Sequence, residues 1–242
     1  MRISVVVPAF NEERELPASL ASIRASLEAF HALGWATELL VCDNNSTDRT
    51  PEISREAGAT VVFEPINQIG RARNTGAAAA TGDWLVFVDA DSCPTRELFA
   101  DVAGAIRSGT ILAGGSTAHF GEGAPLAMRA GIAGWNAISR RLRWAAGSFI
   151  FCETAAFREI GGFSLDLYAS EEIDLSRRLK RLARRKGKRV VILDRHPLLT
   201  SDRKTRLYTA REGTAFFIRT ILTRGRTLRR REDCFQWYDG RR

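Results

Sequence analysis

Two aspartates, Asp89 and Asp91, stand one residue apart at the end of the apolar segment Trp84–Val88. Such a segment, rich in Val and Phe, is typical of a buried strand in a parallel sheet. Two carboxylates this close repel each other unless a cation lies between them. Mg²⁺ and Mn²⁺ prefer oxygen ligands and often bind substrate phosphates as well, so the pair predicts a metal site for a phosphate-bearing substrate.

Two further polar clusters follow predicted strands. Asn11-Glu12 comes after the apolar run 3–7, and Asp43-Asn44-Asn45 comes after the run 39–42. Open parallel sheets bind ligands at the carboxyl ends of their strands, so we expect all three clusters at one edge. No G-x-G-x-x-G follows the first strand and no G-x-x-x-x-G-K-[ST] occurs, which disfavours a dinucleotide site or a P-loop.

The spacing of apolar residues predicts the elements that position these clusters. Strands are predicted at 3–7, 39–42, 60–63 and 84–88, and they alternate with helices at 16–30, after Pro51, at 71–80 and from Thr95 to 107. This order predicts a parallel sheet with right-handed crossovers. The second half is less regular, with strands near 111–119 and 189–193, an apolar segment at 148–152, and helices at 125–142, 171–185 and 206–223.

Length and composition bound the class of protein. The 242 residues, 45% hydrophobic and 26% charged, suit one sizeable α/β domain. We expect it over residues 1–200, with a basic helical extension over 201–242. No run of 18 apolar residues and no signal-peptide pattern occurs, and the four cysteines are widely spaced, so we expect a cytoplasmic protein with reduced thiols.

The charge is uneven along the chain. Residues 177–242 hold 22 basic and 6 acidic side chains, a net charge of +16, whereas residues 1–176 have a net charge of −8. This excess predicts an anionic partner: membrane lipid, nucleic acid or a phosphorylated substrate. Phe217, Ile221 and Leu222 fall near one helical face before a run of arginines, which suits a helix lying on anionic lipid at the inner membrane face. The alternative is that these apolar residues pack on the main domain and the arginines only solvate it.

Six segments, in this order, resemble family 2 glycosyltransferases. They are VVVPAFNEE at 5–13, VCDNNSTD at 41–48, ARNTG at 72–76, GDWLVFVDAD at 82–91, AFREIGGF at 156–163 and EEIDLSRRL at 171–179. The resemblance covers residues 3–185. It implies the GT-A fold, a Rossmann-like α/β three-layer sandwich with a mostly parallel sheet. It also implies transfer of a hexose from a nucleotide-diphospho-sugar, such as a UDP- or GDP-sugar, with Mn²⁺ or Mg²⁺ as cofactor.

The resemblance also implies roles for the matched positions. Those assigned to the nucleotide are Pro8, Asn11, Glu12, Asp43 at the base, Arg73, Asn74, and Asp89 on the ribose and metal side. Those assigned to the metal are Asp91, Asp89 and, as in some relatives, His196. Glu172 would be the general base that deprotonates an acceptor hydroxyl.

Each of these positions also has a structural interpretation. Asp43 suits an Asx turn, Arg73 and Asn74 suit a solvated helix, and His196 suits an ordinary loop. The family's acidic pair usually reads Glu-Asp, whereas this chain has Glu171-Glu172, which lengthens the base by one methylene. The pair also suits an acidic first turn of a helix, stabilised by the helix dipole.

Four kinds of function are considered, one of them a sugar-nucleotide-binding module without turnover. The leading one is a glycosyltransferase acting on a sugar or a lipid-linked acceptor in cell-surface polysaccharide or glycolipid synthesis, with an inverting or a retaining outcome. A nucleotidyltransferase would usually carry a glycine-rich basic loop after the first strand, where this chain has Pro8-Ala9-Phe10. A nucleic-acid-binding protein would use the basic tail, but the tail has no recognised nucleic-acid motif, so no nucleic-acid partner is expected.

Overall fold

A mixed sheet of eight strands forms the centre of the molecule. The computed structural model describes residues 1–121, 123–201, 210–223 and 225–238. The strands are β1 (Arg2–Ala9), β2 (Ala36–Asp43), β3 (Thr60–Phe63), β4 (Trp84–Val88), β5 (Ser92–Cys93), β6 (Ile111–Phe120), β7 (Phe149–Glu153) and β8 (Arg189–Thr200). Their order across the sheet is β3-β2-β1-β4-β7-β6-β8-β5.

Helices surround this sheet. They are α1 (Leu16–Ser26), α2 (Glu28–His31), α3 (Thr50–Glu56), α4 (Ile69–Ala79), α5 (Arg96–Arg107), α6 (Leu126–Leu142), α7 (Thr154–Glu159), α8 (Glu171–Arg185), α9 (Ala210–Leu222) and α10 (Phe235–Tyr238). Two 3₁₀ turns, Arg226–Arg229 and Arg231–Asp233, precede α10. Within the described residues, no helix has both the length and the apolar character needed to cross a bilayer.

The first four strands form the parallel half of the sheet, as predicted. β1 pairs in parallel with both β2 and β4, and β2 pairs in parallel with β3. The apolar segment at 148–152 is β7, which runs antiparallel to β4 and to β6. Apolar periodicity carries no information on strand direction, so the sequence could not predict this reversal.

Two apolar cores cover the two faces of the sheet, because successive strand residues point to opposite sides. Val5 and Val7 of β1 pack in one core with α1, α2 and α5, whereas Val6 packs in the other with α4, α7 and α8. The result is the predicted three-layer arrangement. Thr95 caps α5 by accepting a hydrogen bond from the Leu98 N–H at 3.2 Å, also as predicted.

Several element boundaries differ from the predictions. The helix predicted over 16–30 is interrupted at Leu27, which lies between α1 and α2. β8 extends to Thr200 because its C-terminal part pairs with both β6 and β5. The helix predicted at 206–223 corresponds to α9, and its predicted residues 206–209 lie outside the described residues.

Helix α4 can approach β1 and β2 closely because position 76 is glycine. A Cβ atom at Gly76 would lie 2.5 Å from Val6 Cγ1 and 3.5 Å from Cys42 Cβ. We therefore expect Gly76→Ala to destabilise the fold by about 1–3 kcal/mol, measured by urea unfolding, since overpacking forces a shift of helix or strand.

Gly104→Ala in α5 is the matched control. A Cβ atom at Gly104 meets no atom within 4 Å, so the helix-forming preference of alanine should raise stability by about 0.5–1 kcal/mol. Equal effects of the two substitutions would contradict the close packing of α4.

Candidate active site

The carboxyl ends of β1, β2 and β4 lie side by side, because β1 pairs in parallel with both of its neighbours. Asn11 follows β1, Asp43 ends β2 and Asp89 follows β4. The three predicted polar clusters therefore meet at one edge of the sheet. This edge is the candidate active site.

Hydrogen bonds between the loops after β1 and β2 shape this edge. Asp43 Oδ1 accepts from the Ser46 N–H at 3.1 Å, so the side chain bonds the backbone of its own loop three residues on, one residue further than in an Asx turn. Asn11 has a φ of 53°, a left-handed conformation that asparagine tolerates better than most residues. Its N–H donates to Ser46 Oγ at 3.0 Å, and its Oδ1 accepts from the Thr47 N–H at 2.8 Å.

Pro8 and Glu12 are buried at the same edge. Pro8 lies in β1 opposite Cys42 of β2. The backbone N–H of Glu12 donates to Thr50 Oγ1 at 2.8 Å, which joins the loop after β1 to the start of α3. For these residues, as for Asn11 and Asp43, contact with a nucleotide stays a prediction.

Arg73 is the centre of the site. Its side chain is 1% exposed, so the interpretation of Arg73 as a solvated helix residue is wrong. Nη1 donates to Glu171 Oε1 at 2.6 Å, and Nη2 donates to Asp89 Oδ1 at 2.8 Å and to the Gly147 carbonyl at 2.9 Å. Burial by itself would lower the pKa of Arg73, but the charges of Asp89 and Glu171 outweigh it and raise this pKa above its ordinary value.

The acidic pair lies at the start of α8, where its two members have different surroundings. Glu171 is buried against Arg73, whereas Glu172 is half-buried beside Gly147, where a Cβ atom would lie 3.7 Å from the Glu172 carboxyl carbon. Burial and the neighbouring charge of Glu171 raise the pKa of Glu172 to about 8. A carboxyl group with a pKa near neutrality is suited to proton transfer.

Asn74 has a structural role that the sequence did not reveal. Its Nδ2 donates to the Phe163 carbonyl at 2.9 Å, and its Oδ1 accepts from the Phe163 N–H at 2.8 Å. The amide therefore holds the loop that precedes α8. Gly162, with a φ of 68°, makes room for it, since a Cβ atom there would lie 2.5 Å from Asn74 Oδ1. The predicted contact of Asn74 with a nucleotide is untested.

The predicted metal ligands are not all brought together. Within the described ranges, no group of three or more His, Cys, Asp or Glu side chains is placed to hold a metal ion. His196 Nδ1 is 2.9 Å from Asp101 Oδ2, because β8, which carries His196, packs on α5, which carries Asp101. We therefore leave His196 out of the candidate metal site.

The two aspartates have the chemistry that a hard divalent cation prefers, and their joint role as its ligands stays a prediction. Asp91 lines an open pocket together with Glu15, Cys93 and Thr200, and Asp89 is partly exposed at the end of β4. Two carboxylates supply the oxygen ligands that Mg²⁺ and Mn²⁺ prefer, and such ions usually take their remaining ligands from phosphate and water.

Two residues that were given no role connect the loops of the site. The Asn44 amide donates to the carbonyls of Glu64 and Ile66 at 3.1 and 2.7 Å, and Asn44 Oδ1 accepts from the Gln68 N–H at 2.9 Å. Gln68 Nε2 in turn donates to the carbonyls of Leu165 and Leu167, both at 2.9 Å. Asn44 belongs to the polar cluster that follows β2, whereas nothing in the local sequence distinguishes Gln68.

Comparison with known proteins establishes the class. Residues 4–160 match the family model described as glycosyl transferase family 2, so the chain belongs to this family. An uncharacterized glycosyltransferase of Mycobacterium tuberculosis is 43% identical over 89 residues, which are 37% of this chain and 36% of that protein. The matched region thus spans about a third of this curated relative.

Solved structures show the same architecture. The structure of S. aureus TarS 1-349 in complex with UDP-GlcNAc is 19% identical, with a TM-score of 0.65, and the match covers 98% of this chain and 69% of that one. A mannosyltransferase from Pyrobaculum calidifontis, in complex with GDP-Man and Mn²⁺, is also 19% identical with a TM-score of 0.65, over 92% and 62% of the two chains. The chain has the predicted GT-A fold.

The buried cation should dominate the stability of this region. We expect Arg73→Met to lower the free energy of unfolding by about 3–5 kcal/mol, because it leaves Asp89 and Glu171 without their counter-charge. Arg140→Met is the matched control, since Arg140 and Asp194 form an exposed ion pair that should contribute at most about 1 kcal/mol.

Urea unfolding of both variants measures the difference. Adding Glu171→Gln to Arg73→Met should recover part of the loss, because it removes one of the unpaired carboxylates. A loss no larger than that of Arg140→Met would contradict the central role of the ion pairs.

Proposed function

We propose that this chain transfers a hexose from a UDP- or GDP-sugar to an acceptor hydroxyl, with Glu172 as the general base. The observation that carries the proposal is the contact of Arg73 with both Asp89 and Glu171, which are 16 and 98 residues away along the chain. One buried cation ties the end of β4, assigned to the donor, to the start of α8, assigned to the acceptor. A transfer reaction needs those two parts in one cleft.

The donor is assigned to the sheet edge formed by β1, β2 and β4. We assign Pro8, Asn11 and Glu12 to the nucleotide pocket and Asp43 to the base. Arg73 and Asn74 are assigned to positions beside the nucleotide, and Asp89 to its ribose and metal side. The similar structures hold UDP-GlcNAc in one case and GDP-Man with Mn²⁺ in the other, which supports this class of donor.

Asp91, with Asp89 beside it, is the proposed holder of Mn²⁺ or Mg²⁺. A divalent ion there would neutralise charge on the departing nucleoside diphosphate. The chain itself contributes the two carboxylates and, through Arg73, a fixed position for Asp89.

Glu172 is the proposed acceptor of the proton from the acceptor hydroxyl. A sugar hydroxyl is a poor nucleophile until a base removes its proton, and a base is most effective when its pKa lies near the working pH. The position at the start of α8 next to Gly147 places the carboxylate beside the ion-paired residues.

We assign the reaction to the cytoplasmic side of the cell envelope, in polysaccharide or glycolipid synthesis.

Thermal unfolding with a panel of UDP-, GDP- and dTDP-sugars, each with and without Mn²⁺, tests the donor and metal assignments. One base should stabilise the protein only when metal is present. At a ligand concentration of 100 times Kd, we expect a rise in Tm of roughly 5–10 °C.

Asp91→Asn should remove the metal-dependent part of this shift, because it replaces a charged oxygen ligand by an amide. Asp194→Asn, which changes an exposed aspartate of β8, is the control and should keep the full shift. A shift that persists in Asp91→Asn, or that EDTA leaves unchanged, would show that the metal assignment is wrong.

Glu172→Gln should keep donor binding and lower the transfer rate at least about 100-fold, since it removes the base.

In the unsubstituted protein, burial and Glu171 keep the Glu172 carboxyl protonated below its pKa of about 8. Since only the ionised form accepts a proton, kcat/KM should rise with pH until about 8. Asp174→Asn in the same helical turn is the control, because Asp174 pairs with Arg178 and should leave this pH profile unchanged. Transfer at the normal rate by Glu172→Gln would assign the base elsewhere.

A further inference from the structure

Helix α9 presents an apolar stripe to solvent. Ala215, Ile218 and Leu222 lie at positions i, i+3 and i+7 and are all exposed, with Ile218 at 51% and Leu222 at 78%. Phe216 instead packs its ring edge-on against Phe235, with centroids 6.4 Å apart. Leu222 is therefore exposed, as the prediction of a lipid-facing helix requires. The side chains of Phe217 and Ile221, which the same prediction named, are outside the described part of the structure.

Three exposed arginines follow α9 closely along the chain. Arg226, Arg229 and Arg230 are exposed and make no ion pair with any other residue in the described part of the chain. Arg219 is different, because it pairs with Asp233 at 2.9 Å, and Arg231 lies over the Tyr238 ring at 5.7 Å. We call the six residues Ala215, Ile218, Leu222, Arg226, Arg229 and Arg230 the basic-apolar surface.

The turn that carries the three arginines is held against the loop before the acidic pair. The Tyr168 N–H donates to the Leu228 carbonyl at 2.7 Å, and the Ile69 N–H donates to Tyr238 Oη at 3.3 Å. The rings of Tyr168 and Tyr238 also meet edge-on at 5.6 Å. Because Tyr168 is three residues before Glu171, the turn that carries Arg226, Arg229 and Arg230 packs on the loop that leads into α8.

We propose that the basic-apolar surface docks on an anionic membrane, and that the acceptor is a lipid-linked molecule presented by that membrane beside Glu172. Exposed aliphatic side chains followed by unpaired arginines complement the acyl and headgroup layers of an anionic bilayer. A soluble phosphate or a nucleic acid would pair with the arginines but leave Ile218 and Leu222 in water. The acceptor assignment rests on the proposed function, whereas the docking does not.

Sedimentation of the whole chain with vesicles tests the docking. The chain should bind vesicles of phosphatidylcholine and phosphatidylglycerol, bind pure phosphatidylcholine far more weakly, and be released by salt. Replacing Arg226, Arg229 and Arg230 together by Gln should weaken binding about 100-fold, since each arginine near an anionic surface contributes roughly a factor of 5. Ile218→Ser with Leu222→Ser should also weaken it.

A matched triple variant controls for net charge. Arg55, Arg96 and Arg107 are exposed on or near α3 and α5, and replacing them by Gln removes the same charge from other surfaces. Equal losses in the two triple variants, or equal binding to neutral and anionic vesicles, would overturn the docking. A dimer in sedimentation velocity that Leu222→Ser abolishes would show that Leu222 is buried by self-association, and would also overturn the docking. Tighter binding to single-stranded DNA than to the anionic vesicles would overturn it as well.

The docking and the proposed function, on which the acceptor assignment rests, can fail separately. The Arg226, Arg229, Arg230 triple variant should keep the donor- and metal-dependent Tm shift of the unsubstituted chain, because none of its residues belongs to the donor site. Loss of vesicle binding with that shift intact supports the docking. Vesicle binding by a chain that shows no donor-dependent shift would refute the proposed function and leave the docking in place.

Discussion

The whole site depends on one buried cation. Arg73 is removed from water, and this is tolerable because two carboxylates and a carbonyl oxygen accept hydrogen bonds from its two terminal nitrogens. Its Nε is also buried and has no hydrogen-bond partner among the described residues. These partners come from the end of β4, the loop before β7 and the start of α8. The ion pairs therefore fix the distance between the part assigned to the donor and the part assigned to the base. Burial and the charge of Glu171 raise the pKa of the neighbouring Glu172.

The direction of the strands explains why these partners can meet. Parallel pairing puts the ends of β1, β2 and β4 at one edge, and the antiparallel β7 begins at that same edge, opposite Val88. The loop that enters β7 thus carries Gly147 to Arg73. A wholly parallel sheet would have placed the start of that strand at the far edge, away from the acidic pair.

The sequence predicted what depends on local pattern. The runs at 60–63 and 84–88 and the helix at 171–185 match β3, β4 and α8, because periodic apolar residues report burial directly. The family motifs also led to Arg73 and to the acidic pair. The partners of these residues were not predictable, because Arg73 and Glu171 are 98 residues apart in the sequence. The contact of His196 with Asp101, 95 residues away, was not predictable for the same reason. Gln68 was missed for the same reason, because its contacts are with the carbonyls of a remote loop.

The loop at 163–168 is where the two halves of the charge distribution meet. Asn74 and Gln68 bind its backbone from the side of α4, and Leu228 and Tyr238 contact it from the basic C-terminal side. The loop leads through Ser170, which has a φ of 63°, into Glu171 and Glu172. The strained residue is held because contacts on both sides determine the path of the chain. The position of Glu172, the proposed base, therefore depends on the C-terminal segment as well as on the sheet, which gives residues 225–238 a part in building the candidate site.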